Sequence, residues 1–278
     1  MKYALRTFAA VAAVIVSSQL NAATVTVVPS DVATAPMLNQ WYLANFRTAP
    51  AFTSNTTAAI TTTNPRNGNG SVEMSLTNGS GKADYAYTWG FQSGRTLGNL
   101  DALSYEWFRS GSSTAPGVQP AFRLLYDTDG DALTTTDQGY LIWEQVYNPN
   151  ASAVVNDQWV SSNILGGDFW QRQFSPGYTV ENFDTTLAEW ISGPRPGAPA
   201  DQLSAATAIL GIEFGIGSGW NGTFTGFVDT VTFGFQGNEG VTFNFEASRA
   251  AAVPEPASLA LLGLGLLGVV AARRRKKA

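Results

Sequence analysis

Tyr85-Ala86-Tyr87-Thr88-Trp89 alternates aromatic residues with smaller ones, which is the pattern of a β-strand. Successive side chains of an extended strand point to opposite faces, so the three rings share one face of a sheet. The same period of two recurs at 72–76, 103–107, 122–124, 141–143 and 224–235. Gly, Pro, Asn and Asp, which favour turns, separate these runs. The pattern predicts an all-β fold, one antiparallel jelly-roll-like β-sandwich over residues 24–247.

Three segments depart from this alternation. Residues 185–191 are the one stretch that predicts a short helix. Residues 48–69 are rich in Thr, Asn and Ala, and they predict a long surface loop. Residues 192–199 contain three prolines and two glycines, which favour a loop within the domain.

The composition limits the chemistry that the chain can perform. Apolar residues make up 44% of the 278 residues and charged residues only 13%, so a core can form under a mostly uncharged polar surface. Cys and His are both absent. Disulfides, thiol catalysis, imidazole metal ligands and the Ser-His-Asp triad are therefore excluded, and carboxylate chemistry remains.

Charge is distributed unevenly along the chain. Residues 24–253 hold nine basic and 20 acidic residues, a net charge of about −11, while the two ends hold seven basic residues. A body this acidic has no electrostatic attraction for nucleic acid or anionic lipid. We therefore expect no nucleic-acid partner, and divalent cations or neutral glycans fit the charge better.

Residues 1–23 have the three parts of a secretory signal peptide. Lys2 and Arg6 form the positive start, residues 8–16 are apolar, and Asn21-Ala22-Ala23 supplies small residues for cleavage. The apolar stretch is too short for a good membrane span. We expect signal peptidase to remove this segment during export.

The C-terminal segment also has three parts in a fixed order. Val253-Pro254-Glu255-Pro256 is held extended by its prolines. Residues 257–272 follow without a charge, and they predict a transmembrane helix of about 24 Å, which is short for a permanent anchor. A basic cluster that would hold the end in the cytoplasm comes next. It consists of Arg273, Arg274, Arg275, Lys276 and Lys277.

This C-terminal arrangement resembles the PEP-CTERM sorting signal over residues 253–278. The resemblance implies an exosortase substrate in a Gram-negative bacterium that makes exopolysaccharide. It also implies a transient anchor in the inner membrane, processing at or near Pro254-Glu255-Pro256, and passage to the cell surface or extracellular matrix. The alternative is an anchor that is never cut, although an anchor alone needs no Pro-Glu-Pro. Residues 248–252 would be a tether between domain and signal.

Residues 209–216 and 226–233 close the domain, and the second run contains Val228-Asp229-Thr230-Val231. Together they resemble the closing strand pair of galactose-binding-like and carbohydrate-binding jelly rolls. The resemblance implies a jelly-roll fold. It says little about a ligand, because one fold carries many functions.

Asp127-Thr128-Asp129-Gly130-Asp131 is the sharpest candidate site. Asp127, Asp129 and Asp131 offer hard oxygen ligands to Ca²⁺, and Asp137 and Glu144 would add further ligands. The segment is not an EF-hand loop, because Ala132 and Gln138 stand where that loop requires Gly and Glu. The alternative is a solvated acidic β-turn, since turns favour Asp and Gly for local reasons.

Trp159, Trp170 and Trp220 are the candidates for carbohydrate binding. Sugars stack their C–H groups on aromatic faces while neighbouring polar groups take the hydroxyls. The three residues lie in surroundings rich in Gly, Asn and Gln, outside the clearly alternating runs. The alternative is that they fill the core, as most aromatic residues of a sandwich do.

Two functions are compatible with these features. The first is a non-enzymatic, exosortase-processed surface or matrix protein whose sandwich binds Ca²⁺, exopolysaccharide or both. The alternative is a secreted glycoside hydrolase or lyase that uses two carboxylates. The Glu-x-Asp-x-x-Glu motif of sandwich glucanases is absent, and Glu106, Glu144, Glu189 and Glu213 occur singly. Two facing carboxylates in a groove would favour the enzyme, and an aromatic platform would favour the binder.

Overall fold

The structure is a computed structural model that describes residues 22–43, 55–131, 133–134, 136–148, 154–174, 179–180, 182–192, 202–217 and 219–249. The chain divides into two compact units, Met1–Ala247 and Ser248–Ala278. Residues 1–21 of the predicted signal peptide lie outside the described residues. The sorting segment 253–278, including the predicted helix 257–272, also lies outside them.

The described chain is almost entirely β-structure, with fourteen strands and one short α-helix. They are β1 (Ala23–Val27), β2 (Trp41–Tyr42), β3 (Thr56–Thr61), β4 (Ser71–Leu76), β5 (Lys82–Thr88), β6 (Leu100–Arg109), β7 (Ala121–Asp127), β8 (Gln138–Trp143), β9 (Trp159–Asn163), β10 (Phe169–Gln173), β11 (Thr179–Val180), α1 (Leu187–Ile191), β12 (Ala208–Gly217), β13 (Phe224–Phe235) and β14 (Val241–Phe245).

These strands form two seven-stranded sheets, which confirms the predicted all-β sandwich. Sheet B has the order β11-β10-β8-β7-β12-β5-β2. Sheet A is built around β13, which pairs with β4 and then β14 along one edge and with β6 along the other. β3 extends β4, β9 extends β6, and β1 extends β14. β1 and β14 run parallel, so the sandwich departs there from the predicted antiparallel pairing.

The core lies between the two sheets and is rich in aromatic rings. Tyr85 on β5 stacks on Phe214 of β12, with ring centroids 5.5 Å apart. Trp41 contacts Phe243 of sheet A edge to face at 5.3 Å. Fully burying such a side chain contributes about 1.5–3 kcal/mol, so aromatic burial dominates the stability of the sandwich. The alternating run at 85–89 therefore faces the core, as predicted.

The short predicted helix is confirmed and has a sequence-encoded start. Thr186 precedes α1, and its Oγ1 accepts a hydrogen bond from the Glu189 backbone N–H at 3.3 Å. The Glu189 carboxylate accepts in return from the Thr186 backbone N–H at 2.9 Å. This capping box satisfies two backbone donors that a helix start leaves free.

The prediction of a loop over 48–69 is wrong for Thr56–Thr61, which form β3 and pair with β4. β3 is an edge strand in which Ile60 alone is buried. Small and hydroxyl side chains occupy the other positions, so the apolar alternation that marks a strand is weak there.

The predicted closing strand pair is also wrong, because β12 and β13 lie in different sheets. β13 is followed by β14, which pairs with it antiparallel. Both β12 and β13 are central strands with strand partners on both edges. Their apolar pattern shows that they are buried, but it carries no information on which sheet each one joins.

Candidate functional site

The outer face of sheet B carries a groove of about 290 Å³. Alternation along β7 sends Phe122 and Leu124 into the core and turns Ala121, Arg123 and Leu125 to this outer face. Rings and charged groups line the groove together. They are Tyr140, Tyr147, Trp170, Trp220, Lys82, Arg123, Glu144 and Arg172.

Four rings line the groove, and three of them, Trp170, Tyr147 and Trp220, are held by contacts with neighbouring side chains. Trp170 on β10 donates its indole N–H to Glu144 Oε2 at 3.0 Å. Tyr147, which is 40% exposed, stacks on Phe183 with ring centroids 4.0 Å apart. Trp220 packs edge to face on Phe224 at 5.1 Å. Fixed rings lose little conformational freedom when a ligand stacks on them.

A buried ionic network forms the floor of the groove. Arg123 is only 7% exposed, and its Nη1 donates to Asp84 Oδ1 at 2.7 Å and to Glu213 Oε1 at 2.6 Å. The Tyr140 hydroxyl donates to Glu213 Oε2 at 2.7 Å. Lys82 approaches the second oxygen of Asp84 at 3.1 Å. Among the described residues, Nη2 and Nε of Arg123 form no hydrogen bond, so this guanidinium has donors to offer a ligand.

Burial raises the pKa of two carboxylic acids on the outer face of sheet B, Glu213 and Glu144. Burial raises the pKa of Glu213, the charge of Asp84 raises it further, and Arg123 partly offsets both. Burial also raises the pKa of Glu144, against the hydrogen bond from Trp170. Burial alone would lower the pKa of Arg123, but the charges of Asp84 and Glu213 raise it overall. Arg123 therefore stays charged and holds the floor in one arrangement.

The acidic turn after β7 brings three carboxylates together. Asp127, Asp129 and Asp137 each offer one oxygen, and these atoms lie within 4.8 Å of one another. Burial raises the pKa of Asp127, and the charges of Asp137 and Asp129 add to it. The oxygens also accept hydrogen bonds inside the turn, for instance from Gly130 N–H to Asp127 Oδ1 at 2.8 Å. The geometry is compatible with both predictions, a cation site and an acidic turn.

Two further predicted ligands lie apart from this cluster. Asp131 is exposed, and its Oδ1 accepts a hydrogen bond from Leu133 N–H at 2.9 Å. Glu144 stands beyond the opposite end of β8, six residues from the Gln138 that pairs with Asp127. At about 3.3 Å per residue that separation is about 20 Å, so Glu144 belongs to the groove.

The three predicted tryptophans separate between the two sheets. Trp170 and Trp220 line the groove of sheet B. Trp159 begins β9 in sheet A, where it packs on Phe108 at 5.8 Å. The Arg66 guanidinium lies over its ring at 5.9 Å. Trp159 and Trp170 both lie on short strands, whose polar residues mask the alternation.

Sequence reasoning missed Arg123, Tyr140 and Tyr147 as residues of the groove. Arg123 did carry a signal, since it is one cation inside the apolar strand Phe122-Arg123-Leu124. With a period of two, that arginine leaves the core face, and a buried charge there requires partners. Its partners come from β5 and β12, which are distant in the sequence.

Comparison with known proteins identifies the C-terminal segment. Residues 252–276 match the PEP-CTERM protein-sorting motif. The chain is therefore an exported protein of β-sandwich fold that is sorted by an exosortase. It carries a C-terminal membrane anchor before sorting. Within the described residues, no helix has the length and apolar character of a membrane span.

Several solved structures share features with the sandwich. A family 11 carbohydrate-binding module from Clostridium thermocellum is 11% identical, with a TM-score of 0.33 over 75% of this chain and 98% of that one. A family 30 carbohydrate-binding module of a cellulosomal cellulase from the same organism is 11% identical, with a TM-score of 0.34 over 66% and 84%. A thermostable cellulase derived from that of Rhodothermus marinus is 12% identical, with a TM-score of 0.30 over 65% and 92%. No curated protein sequence matches the chain.

Proposed function

We propose that the exported sandwich binds exopolysaccharide in the groove on the outer face of sheet B. The observation that carries this proposal is the aromatic lining, in which Trp170, Trp220 and Tyr147 surround one groove. Rings of this kind stack on the C–H faces of sugars, and a glycan needs no charge complementarity to do so. An acidic domain can therefore bind an uncharged polysaccharide.

The polar floor supplies the directional part of the recognition. Glu144 both fixes Trp170 and lines the groove, so it can accept from a sugar hydroxyl beside the ring. Arg123 lines the groove from below and has donors that the described residues leave unused. Stacking with a few fixed polar groups is the usual composition of a small-molecule site.

A glycan array of the exported protein, run with and without Ca²⁺, tests the proposal. Trp170→Ala and Trp220→Ala should each weaken binding of the array's positive glycans about tenfold, which corresponds to about 1.4 kcal/mol. Trp159→Ala is the matched control, because this ring lies on sheet A outside the groove. Equal losses in all three variants, or no positive glycan, would contradict the groove.

The same samples test the enzymatic alternative. Release of reducing ends from a bound glycan would show cleavage, which needs two carboxylates at a defined separation. Glu144→Gln would abolish that release if Glu144, whose pKa is raised by burial, were the acid. Binding without release is the outcome that we expect.

We further propose that the acidic turn binds Ca²⁺ through Asp127, Asp129 and Asp137. Three carboxylate oxygens within 4.8 Å of one another repel, and a divalent cation would replace this repulsion by attraction. Backbone carbonyl oxygens of the turn and water would complete the six to eight ligands that Ca²⁺ takes. A melting temperature that depends on Ca²⁺ is the test.

The final location is also a proposal. We infer that the anchor is cut at or near Pro254-Glu255-Pro256 and that the sandwich then remains at the cell surface or in the extracellular matrix of a Gram-negative host. A glycan-binding groove would help to retain the sandwich there, because the proposed ligand, exopolysaccharide, is a component of the matrix. Fractionation of a host with its exosortase tests this location.

A further inference from the structure

A second depression of about 730 Å³ lies at the edge of the sandwich, and we call it the edge cleft. It is formed by the end of β8, by β9, and by the connection that carries the chain from sheet A to sheet B. Its lining is mainly amides and hydroxyls, including Gln145, Asn148, Asn163 and Thr186. Trp143 and Asp168 also line the edge cleft.

The edge cleft collects polar groups that the fold leaves without partners. Trp143 is 4% exposed, and its indole N–H has no acceptor among the described residues. A buried donor without an acceptor destabilises the fold, and a ligand that accepts from it removes that cost. The Gln145 amide and the Asp168 carboxylate also form no side-chain hydrogen bond within the described residues.

Gly167 explains why the indole of Trp143 has space beside it. Gly167 lines the edge cleft, and a Cβ at this position would stand 2.5 Å from Trp143 Nε1 and 2.9 Å from Asn148 Oδ1. Any other residue would fill this space. The Asn148 side chain is used to hold the connection, since its Oδ1 accepts from Asp168 N–H at 2.8 Å.

The charge of the edge cleft selects against anions. Asp168 is its one ionisable side chain among the lining residues, and no cation lines it. Burial raises the pKa of Asp168, and the nearby charges of Glu189 and Asp184 raise it further. A ligand that brings both hydroxyl donors and acceptors, without a negative charge, complements such a surface.

We propose that the edge cleft is a second binding site, separate from the groove, for a neutral saccharide. Residues 143–148 contribute side chains to both sites. Trp143, Gln145 and Asn148 line the edge cleft, whereas Glu144 and Tyr147 line the groove. The inference does not depend on the groove, because none of the residues that line the edge cleft also lines the groove.

The test uses the ¹⁵N-labelled full chain in a detergent without a sugar headgroup. The probes are glucose, galactose, mannose and xylose and their β-linked tetramers, with a uronate tetramer as the charged comparison. The indole signal of Trp143, assigned by its loss in Trp143→Phe, should shift with at least one neutral probe and not with the uronate.

Variants separate the edge cleft from the groove. Gln145→Ala and Asp168→Asn should each weaken the binding that shifts the Trp143 signal about fivefold, the equivalent of one hydrogen bond. Gln236→Ala, on an exposed turn, should leave it unchanged. Trp170→Ala should also leave it unchanged, so a failure of the groove is distinguishable from a failure of the edge cleft. No shift with any neutral probe, or a shift that Gln145→Ala and Asp168→Asn do not weaken, overturns the proposal.

Discussion

Glu213 Oε1 accepts a hydrogen bond from Arg123 Nη1 at 2.6 Å on the face of sheet B that points away from the core. The two residues pair across β12 and β7, and Asp84 of β5 joins them from the next strand. Three strands are thereby tied together under the groove. The two buried carboxylates share this one guanidinium, whose positive charge offsets the cost of burying them.

The first prediction concerns this network. Arg123→Met should lower the free energy of unfolding by about 3–5 kcal/mol, because buried Glu213 loses its paired cation and buried Asp84 keeps only the partly exposed Lys82. Lys82→Met is the matched control. Its ion pair with Asp84 is partly exposed, so its loss should cost less than about 1 kcal/mol. Denaturant unfolding of both variants measures the difference, and equal effects would contradict the assigned role of Arg123.

The second prediction concerns Asp229, which lies where β13 changes its partner from β4 to β14. Burial raises the pKa of its carboxyl from 3.8 to about 6, against hydrogen bonds from the Phe245, Thr230 and Asn67 backbones. The folded state then binds the proton more tightly than the unfolded state. The contribution of Asp229 to stability is therefore present below pH about 4 and is lost as the pH rises to about 6.

Asp229→Asn should remove this pH dependence. Between pH 4 and 6 the stability of the variant relative to the native protein should rise by up to about 3 kcal/mol. Urea unfolding at a series of pH values gives the two curves. Asp101→Asn, at an exposed position of β6, is the control for the substitution itself. If the stability of Asp229→Asn instead followed the same pH dependence as the native protein, the carboxyl of Asp229 would have the same pKa in the folded and unfolded states, and the prediction would be wrong.

The third prediction concerns the acidic turn. If Asp127, Asp129 and Asp137 hold Ca²⁺, a hundredfold excess over Kd adds about 2.7 kcal/mol to the free energy of unfolding. The melting temperature should then be about 5–10 °C higher in Ca²⁺ than in chelator. Asp129→Asn and Asp137→Asn should remove that difference, and Asp101→Asn should keep it. Identical melting with Ca²⁺ and chelator would leave only the acidic turn.

The fourth prediction concerns sorting. Glu255→Ala should leave the chain uncut in the inner membrane, because it alters the Pro-Glu-Pro element within the matched motif. Glu239→Ala, on an exposed turn between β13 and β14, should be processed normally. Membrane fractionation of a host with its exosortase distinguishes the two forms. Normal release of Glu255→Ala would refute the prediction.

The fifth prediction is that residues 24–247 fold and stay soluble without either terminal segment. Their apolar side chains face a core between two sheets, whereas each terminal segment contains an uninterrupted apolar run, at 8–16 and at 257–272. Removal of the ends also takes away seven basic residues and leaves an acidic, more soluble body. A monodisperse fragment with a cooperative melt is the expected result. Insoluble or molten material would mean that the tail is part of the fold.

Alternation of apolar and polar residues was sufficient to predict most strands of the fold. The runs at 72–76, 103–107 and 224–235 are strands because alternation is a property of the strand itself. β3 was missed, since an edge strand with one buried side chain hardly alternates. The pairing of β12 and β13 was wrong, since both are buried strands and the pattern does not say in which sheet.

The all-β class, the sorting motif and the Asp-rich turn could be predicted from the sequence, because each depends on residues that are neighbours along the chain. The three-dimensional structure was needed to show that Trp170 and Trp220 share a groove while Trp159 lies on the other sheet. It alone joined Arg123 to Asp84 and Glu213, which are 39 and 90 residues away. The physical reason is that sheet order places distant strands side by side, and strand periodicity fixes the face of a residue but not its neighbour across the ladder.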